Sequence, residues 1–251
     1  MSRSTAALRS FRPGWAPTLA AALAVAILAS LGAWQVRRHH WREADLAQRR
    51  ARIALPPLPL ESVLADPLAA EGRRASLRGE YDHPRSIAVV RVPRALVEGA
   101  RILTPLRLAD GRALVVDRGW VPYTELERFL EDPPPRERGQ VEVTGLVFAL
   151  RLDPVEPGSA AVPRREWVRF DPTRPGHPTE LQSQLPYRLV PVLVQREDGS
   201  GEYPLGEIAQ PTSPVDHVQY AITWFSLAAI ALATWIGLGI VQGREARRDA
   251  A

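Results

Sequence analysis

The stretch "VDHVQYAITWFSLAAIALATWIGLGIV" (residues 215–241) decides the architecture. Between Asp216 and Arg244 there is no Asp, Glu or Arg, so the gap holds the roughly 20 apolar residues that cross a bilayer. A second gap of this kind runs from Arg12 to Arg37. The two gaps predict transmembrane helices over 16–36 and 217–241. The first has competing readings as a signal or transit peptide, because "MSRSTAALRSFR" is rich in Arg and Ser and free of acids. Its apolar run exceeds a signal h-region of roughly 7–15 residues and ends in Trp34 and Gln35, not in a small-residue cleavage site. An uncleaved anchor is therefore the expectation.

Working outward, the charge follows the two spans. The chain has 251 residues and a formal net charge of +4, and all 32 of its basic residues are Arg. Residues 53–216 hold 20 Arg against 24 acids, while the two ends hold 12 Arg against 4 acids. The basic excess is juxtamembrane, where arginines snorkel to the headgroups of a lipid bilayer and meet anionic lipid. That placement argues against a nucleic-acid partner. Arg3, Arg9 and Arg12 precede the first span, but Arg37, Arg38, Arg42, Arg49 and Arg50 follow it. The second span votes the other way, since Arg244, Arg247 and Arg248 follow it and no Arg lies in 197–216. Long translocated domains largely escape the positive-inside rule, so residues 1–15 and 242–251 are expected in the cytoplasm and the middle outside. Cysteine is absent, which removes disulfide exchange and thiolate chemistry, and a single Met argues against a soft copper(I) site.

The middle alternates short β-branched runs with turn formers. Helical character continues past the first span over 37–55, until Pro56, Pro57 and Pro59 stop it. Six strands are predicted in 56–214: "ASLRGEY", "SIAVVRV", "RILTPLRL", "RALVVDRGW", "VEVTGLVF" and "YRLVPVLVQRE". Ala109-Asp110-Gly111 reads as a tight hairpin, and "TELERFL" and "PTELQSQL" as short helices. The 24 prolines discourage a large parallel sheet. The fold class that emerges is a membrane-anchored α+β protein, with two transmembrane helices flanking a small antiparallel, β-rich extracytoplasmic domain. His83 and His177 stand beside prolines and are expected at the surface.

"LGAWQVRRHHWREADL", "RGEYDHP", "ILTPLRLADGRALVVDRGWVP" and "HVQYAITWFSLAAI" occur in the order and spacing of the surfeit locus protein family, which this chain resembles over most of residues 31–230. The resemblance implies a membrane-anchored assembly factor for haem–copper cytochrome c oxidase, in the cell (inner) membrane with its main domain periplasmic or otherwise extracytoplasmic. It also implies a role in respiratory-chain biogenesis, handing haem a to oxidase subunit I, with haem a synthase as a further partner. By the same resemblance, the histidine opening the second span, here His217, is a candidate haem-iron ligand. The chain departs from the family pattern at Val215-Asp216, where Asn-Asn is common, and at Gly99-Ala100, where Gly-Tyr is common.

The residues support a similar reading on their own chemistry. His217, Tyr220, Ala221, Trp224 and Phe225 recur at helical spacing and share one stripe. A haem needs an axial nitrogen, flat apolar walls and a cation for its propionates. His217 offers the first, Tyr220 and Trp224 the second, and Trp34 and Arg38 stand at the matching end of the first span. The expected cleft lies between the spans, floored by Ala221 and Ala228, with His39 and His40 as alternative second ligands. The bland alternative is that Tyr220 and Trp224 form an interfacial aromatic belt. Arg118, Gly119, Trp120 and Pro122 read either as structural or as a partner contact. Three function classes follow: a non-enzymatic haem-handling factor, a haem-free chaperone holding oxidase subunit I, and a membrane-tethered hydrolase. The third lacks any G-x-S-x-G, S-x-x-K or H-E-x-x-H motif.

Overall fold

The computed structural model of the chain describes residue 11 and residues 13–198, 200–208 and 215–248. Residues 1–10 and 12 of the expected N-terminal tail, with Arg3, Arg9 and Arg12, and the last three residues of the C-terminal tail lie outside the described residues. The chain forms two compact units, residues 1–48 with 211–251, and residues 49–210.

Among the described residues, two helices are long and apolar enough to cross a membrane, Trp15–Ala54 and His217–Arg248. At 40 residues the first spans about 60 Å, twice the thickness of a hydrocarbon core, so one continuous helix holds both the apolar segment and its polar extension. Hydroxyls inside the apolar stretches turn back on their own helix. Ser30 donates to the Ala26 carbonyl at 2.6 Å and Thr234 to the Ile230 carbonyl at 2.8 Å, which satisfies them without water. In lipid, helix pairs associate through close packing of small residues. Gly32 does this here: a Cβ at that position would lie 2.8 Å from the Phe225 ring. Trp235 donates its indole N–H to Thr18 at 3.1 Å. Partner numbers fall along one helix as they rise along the other, so the pair is antiparallel. Leu19, Leu23, Ile27, Ile222, Ile230 and Leu238 stay exposed, as lipid-facing positions should.

The second unit is a closed β-barrel with extensions. Its strands are β1 (Leu58–Pro59), β2 (Arg74–Tyr81), β3 (Ile87–Val90), β4 (Gly99–Arg107), β5 (Ala113–Pro122), β6 (Gln140–Ala149), β7 (Glu166–Trp167) and β8 (Leu189–Arg196). They lie in the order β1-β2-β6-β8-β5-β4-β3-β7, and pairing of Tyr81 with Leu106 brings β2 back to β4, closing five strands into a ring. Most pairs are antiparallel, in keeping with the fold class; β5–β8, β1–β2 and β3–β7 are parallel. All six predicted strands form, and the two-residue β1 and β7 join them.

Alternation along β5 explains the layers. Leu114 and Val116 point inward to a core with Leu77, Val143 and Val194. Ala113 and Val115 point outward to a second core with Leu181, Leu185 and Trp167. The helix Gly176–Gln184 supplies Leu181 to that outer layer. Near the end of β5, Val121 joins a third cluster, against which Leu126, Phe129 and Leu130 of the helix Tyr123–Glu131 pack. A strand covered on both faces needs no polar alternation, and every residue of β5 is buried.

Candidate functional site

His217 is the first residue of the second long helix, and Asp216 just before it accepts the Gln219 N–H at 3.0 Å, capping the helix N-terminus. The His217 Nδ1 lies 2.8 Å from the Gln35 side-chain oxygen. With that oxygen accepting, Nδ1 carries the proton and Nε2 keeps its lone pair, the arrangement that orients a metal-binding imidazole. Gln35 is buried, so the bond forms in a poorly hydrated place. Sequence reading missed Gln35 as a site residue; its signal was an amide at the end of an otherwise apolar run.

The remaining predicted residues are arranged differently. Trp34 and Tyr220 are about half exposed, at 52% and 53%, on the outside of the helix pair, and Trp224 is partly buried. The Arg38 guanidinium lies 4.5 Å over the Trp41 ring. His39 and His40 neighbour each other at 5.7 Å between ring centroids. Ala221 and Ala228, expected to floor an open cleft, are instead buried. Small side chains let helices close together, and that closure removes the cleft. An apolar cavity of about 280 Å³ lies near the other end of the pair, lined by Ala22, Val25, Leu232 and Trp235 among others.

The barrel holds a second polar constellation. The register of β4 against β5 pairs Ile102 with Gly119 and Leu103 with Asp117, leaving Arg118 as the extra residue of a bulge. Its side chain is fully buried in the barrel end. There it meets Glu137, which also binds Arg196, and its guanidinium lies 5.4 Å over the Tyr81 ring. Asp198 adds a second carboxylate to Arg196 at 3.0 Å. Burial works to raise the Glu137 pKa, but Arg118 and Arg196 outweigh it and hold the carboxyl below its usual range. Burial pushes the Tyr81 phenol up to about 12, so it stays neutral.

Gly119 has φ +126°, and a Cβ there would sit 2.3 Å from the Leu205 carbonyl oxygen, because the 205–206 backbone crosses it. Trp120 is buried and donates its indole N–H to the Val92 carbonyl at 2.7 Å. The Arg-Gly-Trp run thus has a complete structural account. His83 and His177 depart from the surface expectation. His83 Nε2 lies 2.8 Å from the Glu137 carbonyl oxygen, and burial lowers its pKa; His177 Nδ1 accepts the Asp171 N–H at 2.9 Å. Each is drawn in by a polar partner distant from the proline beside it.

Both constellations lie within residues 22–229, which the model of the SURF1 family matches. The chain belongs to the SURF1 family. The match starts within the first long helix, covers the whole barrel and ends within the second helix, so it spans both units. Among relatives, "Surfeit locus protein 1" of Xenopus tropicalis is 29% identical over 228 residues, covering 82% of this chain and 70% of the relative. "SURF1-like protein" of Monosiga brevicollis is 29% identical over 233 residues, covering 83% and 82%. "Surfeit locus protein 1" of Homo sapiens is 27% identical over 237 residues, covering 82% and 71%. Among the described residues, this SURF1-family chain thus holds a half-buried imidazole on the helix pair and a buried ion network in the barrel. The network has the character of a structural clamp, since two arginines meet two carboxylates, while Arg118 Nε, Arg196 Nε and the Tyr81 hydroxyl lack partners among the described residues and Glu137 and Arg196 line a cavity of about 290 Å³.

Proposed function

We propose that this SURF1-family protein is a non-enzymatic assembly factor for haem–copper cytochrome c oxidase that holds haem a in transit to oxidase subunit I. The observation that carries the reading is the Gln35–His217 hydrogen bond, which leaves Nε2 of a membrane-edge histidine as an oriented donor. Tyr220, Trp224 and Trp34 supply flat apolar surface beside it, and Arg38 can leave Trp41 for a propionate. One axial nitrogen on an exposed face holds the cargo exchangeably, so handover needs no bond-making chemistry from this chain. The family's association with the oxidase supports subunit I as the acceptor and haem a synthase as the donor. The arginines in the last turns of the second helix support a cytoplasmic C-terminus, with the barrel on the far side of the cell (inner) membrane.

Purification in detergent from cells that make haem a, followed by a visible spectrum, tests the reading. His217→Ala is expected to lower haem content while the barrel stays folded, and Gln35→Leu to lower it less. Unchanged haem content in His217→Ala would refute the ligand assignment and favour a haem-free chaperone of subunit I. That second reading has its own observation: the helix interface is closed at Ala221 and Ala228, so Trp34 and Tyr220 are free to meet a partner's helices.

A further inference from the structure

The connection from β3 to β4 ends in a tight tip. Arg94 and Val97 exchange both backbone hydrogen bonds at 2.9 Å, so Ala95 and Leu96 form a two-residue hairpin turn. Both have positive φ, +47° and +68°, which makes the turn type I′. That turn favours Asn and Gly, because most side chains at positive φ are strained. Arg91, at the base, has φ +61° as well. Three strained residues thus hold out Leu96, which among the described residues is the most exposed large apolar side chain, at 103%. The turn conformation and the exposure to water both disfavour a leucine here, and a surface that covers it removes the second cost.

The neighbours of Leu96 indicate what that surface is. Val97 is exposed next to it, and Tyr123 is exposed at the base of the turn. The Tyr123 hydroxyl accepts the Arg91 N–H and its own N–H donates to the Glu98 carbonyl at 3.3 Å, so this residue closes the base. Arg91 and Arg94 are exposed behind the apolar tip, on stems long enough to snorkel. An apolar tip backed by a tyrosine and arginines is the order of groups that suits a lipid interface. Glu98 and Glu207 offset the two arginines, so the tip, and not net charge, supplies the attraction. The tether agrees with lipid as the occupant. Arg94 meets Glu207 at 2.7 Å, and Glu207 stands ten positions before His217, the start of the second long helix. Ten residues reach about 35 Å when fully extended, which keeps the turn within range of the membrane that this helix crosses.

We propose that the β3–β4 turn dips Leu96 and Val97 into the lipid interface on the barrel's side of the membrane, a third membrane contact besides the two helices. The inference rests on the membrane reading of those helices and not on haem.

The full chain reconstituted in phosphatidylcholine nanodiscs tests this. The chain has no cysteine, so Leu96→Cys takes a single nitroxide, itself apolar. Electron paramagnetic resonance compares the label's access to oxygen, which partitions into lipid, with its access to a water-soluble nickel chelate. The oxygen-to-nickel ratio at Leu96 is expected several-fold above that at Ser159→Cys, an exposed position between β6 and β7, and shifted toward that at Ile230→Cys, exposed on the second long helix. Val97→Glu added to the Leu96 label should return the ratio to the Ser159 value. Phosphatidylglycerol in place of half the lipid should leave it unchanged. A Leu96 ratio equal to that at Ser159, with lipid at Ile230, would overturn the proposal and leave the membrane reading standing. An aqueous label at Ile230 would overturn both. A Leu96 label shielded from both reagents would place the turn against protein, a lipid signal that needs phosphatidylglycerol would make charge the cause, and indifference to Val97→Glu would remove the apolar tip as the cause; each result rejects the proposal.

Discussion

Glu137→Ala tests the ion network at the barrel end. The substitution leaves Arg118, which has no exposed surface, with only Thr104 at 3.4 Å and the Tyr81 ring face. Arg196 loses Glu137 but keeps Asp198 at 3.0 Å. Removing one partner of a buried ion pair typically costs about 3–5 kcal/mol. The lower end applies here, because one of the two arginines retains a carboxylate. For a unit of this size about 3 kcal/mol corresponds to a fall in Tm of about 6–12 °C. Near-UV circular dichroism of the detergent-solubilised chain reads the barrel through Trp120 and Trp167, both buried within it. The double variant Arg118→Met/Glu137→Leu replaces the pair by apolar groups of similar volume and should recover to within about 1 kcal/mol of the parent. With Arg118→Met and Glu137→Leu each costing about 3 kcal/mol alone, the cycle they form with the double variant should show a coupling of about 5 kcal/mol. If Glu137→Ala melts within 2 °C of the parent, or the double variant is less stable than either single one, the clamp reading fails.

Three further outcomes follow from other contacts. Burial holds the folded His83 pKa below the ordinary histidine value of 6.5, so its contribution is complete above pH 6.5 and is lost as pH falls through the folded value. The Tm difference between the parent and His83→Gln should shrink on acidification below pH 6.5, isolating this group from Asp117 and Glu137, which titrate in both proteins; a constant difference would contradict the burial argument. Trp120→Ala, which empties a buried site and orphans the Val92 carbonyl, should cost about 3–5 kcal/mol and lower the yield of folded protein; a stable, well-folded variant that fails to support oxidase assembly would instead mark Trp120 as a partner contact. Gly32→Leu forces a side chain into the Phe225 ring and should separate the helix pair. Because the chain has no cysteine, a Gln35→Cys/His217→Cys pair reports this directly: a short bismaleimide should cross-link it efficiently in the parent background and poorly with Gly32→Leu.

The amino-acid sequence by itself determined the elements. Two charge-free gaps could only be long apolar helices, because in hydrocarbon every backbone group must bond within its own segment. The β-branched runs and their turn formers determined six strands and the Asp110-Gly111 hairpin, because alternation and left-handed turn positions are local properties of the chain. The helical spacing of the His217 stripe was legible for the same reason, but the packed pair divides it, with Ala221 buried and Tyr220 exposed. Tertiary structure alone decided what each element faces. The parallel β5–β8 pair, the β2–β4 closure, the Arg118–Glu137–Arg196 network and the Gln35–His217 bond join residues far apart in sequence, the last pair separated by 182 positions. Arg118 shows why: periodicity along "ALVVDRGW" assigns its side to one face, but the bulge register and the loop carrying Glu137 decide that this face buries it against a carboxylate. The expected cleft at Ala221 failed on the same ground. Small residues predict that helices approach, and only the packed pair determines that they meet.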